Sequence, residues 1–343
     1  MVTLPGECWV FTDAAAGNQR QALALAEYLQ MPIRHLILQP RAPWSWFAPR
    51  LILGGAHALH RKHRVLLSPP WPEVAIGCGR SAALFTRMLR RLSEGRCHTV
   101  QILDPRIATA HWDTVIAPRH DRVEGPNVLT PLGSLNTIDE AWLADGRQSC
   151  PHFAALPPPR VGVLLGGPRQ GVPFDSAYAR QLTHRLLANQ RRDGGSLMVL
   201  ASRRTPPAVI RIFREAFKDL PGIVWAGPED GSNPYPAVLG WADRLVVTPD
   251  SVNMLSEACA VGCPVQTLVG APLPAKIRRF HHALRASGRL SDLADEAPPR
   301  PQAPLRETCN LAAIVRQRIL AQGASRELAD ADRPAQSNSK PSA

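Results

Sequence analysis

The sequence predicts an α/β protein of two domains, each a doubly wound parallel sheet. Short apolar runs that do not alternate with polar residues, separated by helical stretches, mark strands buried on both faces. The series runs through once, lapses between about Asp139 and Pro159, and then restarts. A chain of 343 residues is too long for one ordinary domain and suits two of roughly 150 residues each. The boundaries read as 1–150 for the first domain, 151–322 for the second and 323–343 for a disordered tail.

The first run, Cys8–Thr12, is a strand; Asp13–Asn18 is a loop, and Gln19–Gln30 a helix with Ala22, Leu23, Ala26 and Leu29 on one face. Strands follow at Ile33–Leu38, Val74–Gly77, Thr99–Leu103 and Thr114–Ala117, with a helix over Ser81–Leu92. Leu156-Pro157-Pro158-Pro159 is a stiff, extended linker. In the second domain the strands are Val161–Leu165, Leu197–Ala201, Ile223–Trp225, Leu245–Val247 and Val265–Val269. Its helices are Phe174–Gln190, Pro206–Phe217, one near Tyr235–Trp241, Ser251–Ala260 and Lys276–Ser287. Gly323–Ala343 has no aromatic residue and balances three acids against three bases, which predicts the tail.

Composition excludes several classes. Hydrophobic residues at 45%, charged residues at 20% and a mean hydropathy of -0.14 rule out a mainly disordered chain. No apolar run reaches the roughly 18 residues of a spanning helix. Met1–Val10 lacks a basic start and carries Glu7, so a cytoplasmic location is expected. The net charge is +12 and the pI about 10.1, yet only Lys62, Lys218, Lys276 and Lys340 among the 40 basic residues are lysines. Arg, Pro and Ala richness of this kind follows from GC-rich coding, so the charge alone does not call for nucleic acid. Phosphates on a small molecule or an anionic lipid surface are the partners arginine suits. Seven cysteines with no CxxC pair predict reduced thiols, with no metal site and no cofactor.

Polar residues concentrate where strands end. Thr12–Gln19 follows the first strand and opens the first helix, where a doubly wound sheet binds ligands and free helix N–H groups attract anions. Asn18 is the expected N-cap, and the absence of GxGxxG removes a dinucleotide fingerprint. Gly77, Gly79 and Arg80 follow the third strand, with Ser81 able to cap the next helix; Asp104 ends the strand after it, and Arg119 and His120 the one beyond. With Gly17 and Asn18 these loops share one sheet edge. In the second domain Gly166 and Gly167 follow the first strand, and Ser202, Arg203 and Arg204 the next, the paired arginines suiting a diphosphate. Asp250, Ser251, Ser256 and Glu257 belong to a turn and helix closed by Gly262 as C-cap. Asp250 or Ser251 caps that helix, and Glu257 leans inward, where a carboxylate suits a ribose diol.

The stretches TDAAAGNQRQALALAEYL, IGCGRSAAL, VQILDPRI, PRHDRVEGPNV, SRRTPP and WADRLVVTPDSVNMLSEACAVGCPV resemble the plant mitochondrial fission ("elongated mitochondria") family and its bacterial relatives, over about residues 9–285. The layout is similar to the GT-B glycosyltransferases, two Rossmann-like domains facing across a cleft. The segment after Ser251 resembles their donor-nucleotide site, whose ribose-binding Glu falls at Glu257. The resemblance implies a glycosyltransferase-like enzyme acting on an envelope precursor. A nucleotide-sugar or other phosphorylated small molecule would sit in the second domain and the acceptor in the first. Asp13 is then the general base, with Asp104 and His120 as rivals. It equally implies a non-catalytic adaptor, since plant members are implicated in recruiting a dynamin-related protein to a membrane.

Residues 41–72 add a membrane expectation. They hold Trp44, Trp46, Phe47, Trp71, Leu51, Ile52, Leu53, Leu66 and Leu67 beside Arg41, Arg50, Arg61, Lys62 and Arg64, with no acid. That is an interfacial composition, in competition with burial of the aromatics in the core. Lys276–Arg289, with Arg278, Arg279 and Arg285, is a second basic stretch free of acids. Peripheral attachment to the inner face of the cytoplasmic membrane is the location these two stretches predict.

Overall fold

A computed structural model describes residues 4–294 and 302–331. By packing, these separate into two compact units. The first comprises the chain up to Ile116, then Glu124–Leu129, and the chain from Thr308 on; the second comprises Ala117–Val123 and Thr130–Glu307.

In chain order the elements are β1 (Cys8–Thr12), α1 (Ala16–Leu29), β2 (Ile33–Ile37), α2 (Trp44–Phe47), β3 (Val74–Cys78), α3 (Arg80–Leu92), β4 (His98–Ile102), β5 (Thr114–Ile116) and β6 (Val128–Leu129). They build a wholly parallel sheet in the order β2-β1-β3-β4-β5-β6. Strands β1, β3, β4 and β5 are buried along their whole length, as their unbroken apolar runs require of strands covered on both faces. On one face Trp9, Phe11, Leu84, Phe85 and Leu89 form the core.

The second unit continues with α4 (Glu140–Ser149), β7 (Arg160–Leu165), α5 (Ser176–Asp193), β8 (Ser196–Ala201), α6 (Pro207–Phe217), β9 (Gly222–Trp225), α7 (Tyr235–Trp241), β10 (Arg244–Val247), α8 (Val252–Val261), β11 (Val265–Thr267), α9 (Ala275–Ala286) and β12 (Ser291–Asp292). Its parallel sheet has the order β12-β11-β10-β7-β8-β9. The period of two along a strand divides it between two cores. Leu164, Met198 and Val247 pack with Leu255 and Phe280, whereas Val163, Leu165, Val199 and Val246 pack with Phe213. Both units are therefore doubly wound, Rossmann-like and α/β, the fold class expected.

Two helices depart from the sequence reading. The lapse after Asp139 holds α4, whose N-cap Asp139 accepts from the Trp142 amide at 2.8 Å. Helix α4 lies against α7, so residues 130–150, grouped with the first domain from sequence, pack in the second unit. Gly146 permits the approach: a Cβ there would stand 2.4 Å from the Pro236 carbonyl oxygen. The second helix is α10 (Thr308–Ala331), which buries Leu311, Val315 and Ile319 at four-residue spacing and packs on α1. The expected tail thus begins inside α10, and its residues 332–343 lie outside the described residues.

Candidate functional site

In an open α/β sheet, ligands bind beyond the carboxyl ends of the strands where the strand order reverses. In the second unit that point lies between β7 and β10. Gly166 and Gly167 leave β7 there, and Thr248–Ser251 leave β10. Asp250, fully buried, ties the two loops together. Its carboxylate accepts from the Gly167 amide at 3.0 Å, the Thr248 hydroxyl at 2.7 Å and the Arg204 guanidinium at 3.0 Å. Thr248 Oγ1 in turn accepts from the Gly166 amide at 2.8 Å. Neither glycine can be replaced in place: a Cβ would stand 2.2 Å from the Asp250 carboxylate at Gly166 and 2.4 Å from the Arg204 carbonyl oxygen at Gly167.

Of the two expected caps, Ser251 performs the role, accepting from the Met254 amide at 3.3 Å at the start of α8. Gly262 ends α8 at a φ of 96°, the left-handed turn for which glycine is suited. Ser202 donates to the Gly166 carbonyl at 2.8 Å. Arg203 is exposed at the site's edge, while Arg204 is drawn to Asp250. Glu257 is buried and accepts from the Tyr235 hydroxyl. Ser256 is spent inside the unit: Oγ donates to Val252 at 2.8 Å and accepts from the Ser134 amide at 2.9 Å. Its only proton is therefore used by the fold.

The sequence reading misplaced one group of residues and overlooked its partners. Arg119 and His120, expected on the first domain's edge, pack in the second unit. The buried His120 ring lies 5.0 Å from Phe280, and its Nε2 is 3.5 Å from Asp121 Oδ1. Lys276 stands 2.5 Å from the same carboxylate, and Arg279 donates to the His120 carbonyl at 2.9 Å. Arg169 donates to the Asp250 carbonyl at 2.9 Å, and the buried His281 meets the Pro249 carbonyl at 3.0 Å. Helix α9 is thus fastened to the β10–α8 turn and leaves Arg169, Lys276 and Arg279 around it. Desolvation pushes the imidazoles of His120 and His281 down to about 4 despite the neighbouring Asp121 and Pro249 acceptors. In the second basic stretch Lys276 and Arg279 are paired as above and Arg285 meets Asp292 at 3.3 Å, while the Lys276 and Arg285 side chains remain 48% and 42% exposed.

The first unit has its own reversal point, between β1 and β3. Asp13 follows β1, and its carboxylate accepts from the Ala15 backbone amide at 2.9 Å and the Asn18 side-chain amide at 3.0 Å. Asn18 is no N-cap, because α1 begins at Ala16 after an uncapped Ala15 and already contains Gly17 and Asn18. Gly79, at a φ of 86°, occupies the cap position that Ser81 was expected to fill. A Cβ on it would stand 2.7 Å from Asn18 Nδ2. Gly77 lies against Gln101, whose buried Oε1 has no hydrogen-bond partner. Arg80 is exposed and donates to the Ser45 carbonyl at 3.1 Å. Asp104 caps its own turn by accepting from the Arg106 amide at 2.7 Å. Leu103 and Arg106 take φ values of 72° and 59°, left-handed conformations that cost a non-glycine residue about 1–2 kcal/mol each. Among the described residues, no group of three or more His, Cys, Asp or Glu is placed to hold a metal ion.

The chain is similar to proteins of one family and to several solved structures. The profile of the family described as Mitochondrial fission ELM1 matches residues 16–319. The chain is 33% identical over 280 residues to the Mitochondrial fission protein ELM1 of Arabidopsis thaliana, a match over 74% of this chain and 65% of that protein's length. An uncharacterized protein of Rickettsia prowazekii is 25% identical over 298 residues, or 75% of this chain and 81% of its own. Among solved structures, the UDP-GlcNAc 2-epimerase of Methanocaldococcus jannaschii is similar with a TM-score of 0.51 at 12% identity, covering 91% of this chain and 99% of that one. The MurG of Acinetobacter baumannii has a TM-score of 0.47 at 14% identity, covering 94% and 95%.

Proposed function

The chain belongs to the mitochondrial fission ELM1 family, and from that premise we propose that it is a glycosyltransferase-like protein whose second unit binds a nucleotide-sugar. One observation carries the reading. The reversal point between β7 and β10 gathers two glycines, the N-terminus of α8 and the side chains of Arg169 and Arg204, with the exposed Arg203 preceding Arg204 in the β8–α6 loop. A helix N-terminus and forked guanidinium groups are what a diphosphate needs, and Glu257 beside Tyr235 offers acceptors to a ribose diol. The methanogen protein of like fold is, by its name, an enzyme of a UDP-sugar.

In a transfer reaction the leaving diphosphate would gain charge as the glycosidic bond breaks, and Arg203 with the α8 dipole would stabilise it. The first unit's reversal point would take the acceptor, an envelope precursor, with Asp13 removing the proton of its attacking hydroxyl. Of the rivals, His120 is buried, while Asp104, like Asp13, accepts from the backbone amide two residues on.

A second reading, a non-catalytic adaptor that brings a partner to a membrane, is favoured by a different observation: Asp250, Ser256 and Glu257 are all engaged by the protein itself. A thermal-unfolding screen against UDP, GDP, ADP and CMP sugars separates the two, since a ligand at 100 times its Kd adds about 2.7 kcal/mol. A shift with one nucleotide class, lost in Arg203→Ala, is expected of the first reading. No shift with any of them overturns it in favour of the adaptor.

A further inference from the structure

The acid-free stretch 41–72 does not go wholly into the core. Trp44, Ile52, Leu67 and Trp71 pack against the first unit's core, and Leu66 is buried in it. Trp46, Phe47, Leu53 and Val65 stay outside, exposed by 69%, 55%, 84% and 68%. Burial therefore accounts for Trp44, Ile52, Leu59, Leu66, Leu67 and Trp71 and leaves these four facing solvent. Single exposed apolar residues are ordinary; four on one stretch of 20 residues, two of them large aromatics, call for an occupant.

The main chain that carries these side chains is fastened in place. The Trp44 indole donates to the Leu53 carbonyl at 3.0 Å and stacks on His57. Arg80 reaches the Ser45 carbonyl at 3.1 Å, and Arg87 clamps the carbonyls of Pro49 at 2.7 Å and Arg50 at 3.0 Å. α2 packs on the 3-10 turn Gly55–Ala58, and that turn on the next, Arg61–Leu67. The conformation that presents Trp46 and Phe47 is thus prepared in advance, which lowers the entropic cost of docking.

The surrounding charge identifies the partner. Arg41, Arg50, Arg61 and Lys62 are exposed, and the stretch has no carboxylate to neutralise them. Beside it runs a surface groove lined by Ile52, by Arg87, Arg90 and Arg91 of α3 and by Glu94, in which Arg90 is paired with Asp113 at 3.0 Å. Exposed Trp and Phe among cations suit the headgroup boundary of an anionic bilayer, where aromatic rings sit at the interface and bases meet phosphates. Among the described residues no helix is long and apolar enough to cross a membrane, so attachment through this surface is peripheral.

We infer that residues 41–67 are a lipid-docking strap: Trp46, Phe47, Leu53 and Val65 enter the headgroup boundary of an anionic bilayer, and Arg41, Arg50, Arg61 and Lys62 pair with its phosphates. The inference rests on this surface alone and is independent of nucleotide binding.

The test is co-sedimentation of the full chain with vesicles of phosphatidylcholine, alone or mixed with phosphatidylglycerol, at low and high salt. Binding is expected to the mixed vesicles only, and to fade with salt. Each basic residue near an anionic surface is worth about fivefold in partitioning, so Arg61→Gln/Lys62→Gln should weaken binding about 30-fold. Trp46→Ser/Phe47→Ser should abolish it; these side chains are exposed, and circular dichroism checks that the variant is folded. No binding to mixed vesicles overturns the inference, as does binding that neither variant alters. A change in sedimentation of the lipid-free protein caused by Trp46→Ser/Phe47→Ser, with vesicles unbound, overturns it in favour of a contact between copies of the chain.

Discussion

Asp250 and Arg204 meet at 3.0 Å, yet the two partners of this ion pair lie in different media: the Asp250 side chain is fully buried and the Arg204 side chain is 51% exposed. The asymmetry predicts unequal losses. Asp250→Ala strands the Gly167 amide and the Thr248 hydroxyl as well as the guanidinium, and should cost about 3 kcal/mol. Arg204→Ala removes a partner that water can replace and should cost under about 1 kcal/mol. Urea denaturation of both variants checks the difference; equal losses would mean that the ion pair alone defines Asp250's role.

Gly167→Ala should destabilise the second unit by about 2 kcal/mol or more, because the clash is with the Arg204 backbone and cannot be relieved by a rotamer change. Gly194→Ala is a useful control: nothing lies within 4 Å of a Cβ there, although its φ of 71° still carries strain. The first substitution should also remove any nucleotide-induced thermal shift, and the control should keep it.

Arg203→Ala should weaken a nucleoside diphosphate far more than the corresponding nucleoside, since a guanidinium fork reads phosphate oxygens. Arg204→Ala should do less, its side chain being held by Asp250. Glu257→Gln should weaken both ligands alike, by about 1–3 kcal/mol, through the ribose they share. Calorimetric titration of the three variants distinguishes the roles, and unchanged affinity in a folded Glu257→Gln variant removes that residue from the site.

Stability should fall with acid in a window set by the buried imidazoles. The unfolded chain's histidines protonate near 6.5, whereas His281 and His120 are held down to about 4 by burial. Between these values the unfolded state binds more protons, so stability is complete above about 6.5 and declines as pH falls toward 4. His281→Gln should reduce the slope by about one proton, or about 1.4 kcal/mol per pH unit within the window. Denaturation midpoints measured from pH 7 to 4 read this directly, and an unaltered slope in the variant would assign the effect to other groups.

How much of the molecule was legible depended on whether the signal lay in one segment or between segments. The strands were readable because Val74–Ile76 and Val246–Val247 are unbroken apolar runs, and the Ser251 and Gly262 caps because their chemistry is local. Helix α10 left a readable stripe in Leu311, Val315 and Ile319 that the proline-rich lead-in obscured. What could not be read was pairing at a distance. Nothing in the sequence near Asp250 says that its carboxylate takes Gly167, 83 positions back, instead of capping its own helix. Nor does the basic run after Lys276 reveal that Asp121, buried and far upstream, will neutralise its first member. Asn18 differs from its expected cap role because α1 begins two residues earlier, at Ala16, which leaves its side-chain amide to donate to Asp13.

The helix α10 has a consequence for synthesis. Arg316 donates to the Leu29 carbonyl at 2.6 Å, Arg318 to the Asn127 carbonyl at 3.0 Å and Gln322 to the Gly95 carbonyl at 2.9 Å, and Val315 and Ile319 are buried. The second unit is complete in the nascent chain once Glu307 has emerged, but the first, although translated earlier, still lacks a wall of its core until residues near 320 follow. Vectorial emergence therefore reverses the usual order of N-terminal completion. A ribosome stalled before Thr308 would display a completed second unit and a first unit with its α1 flank open for the time taken to add one helix.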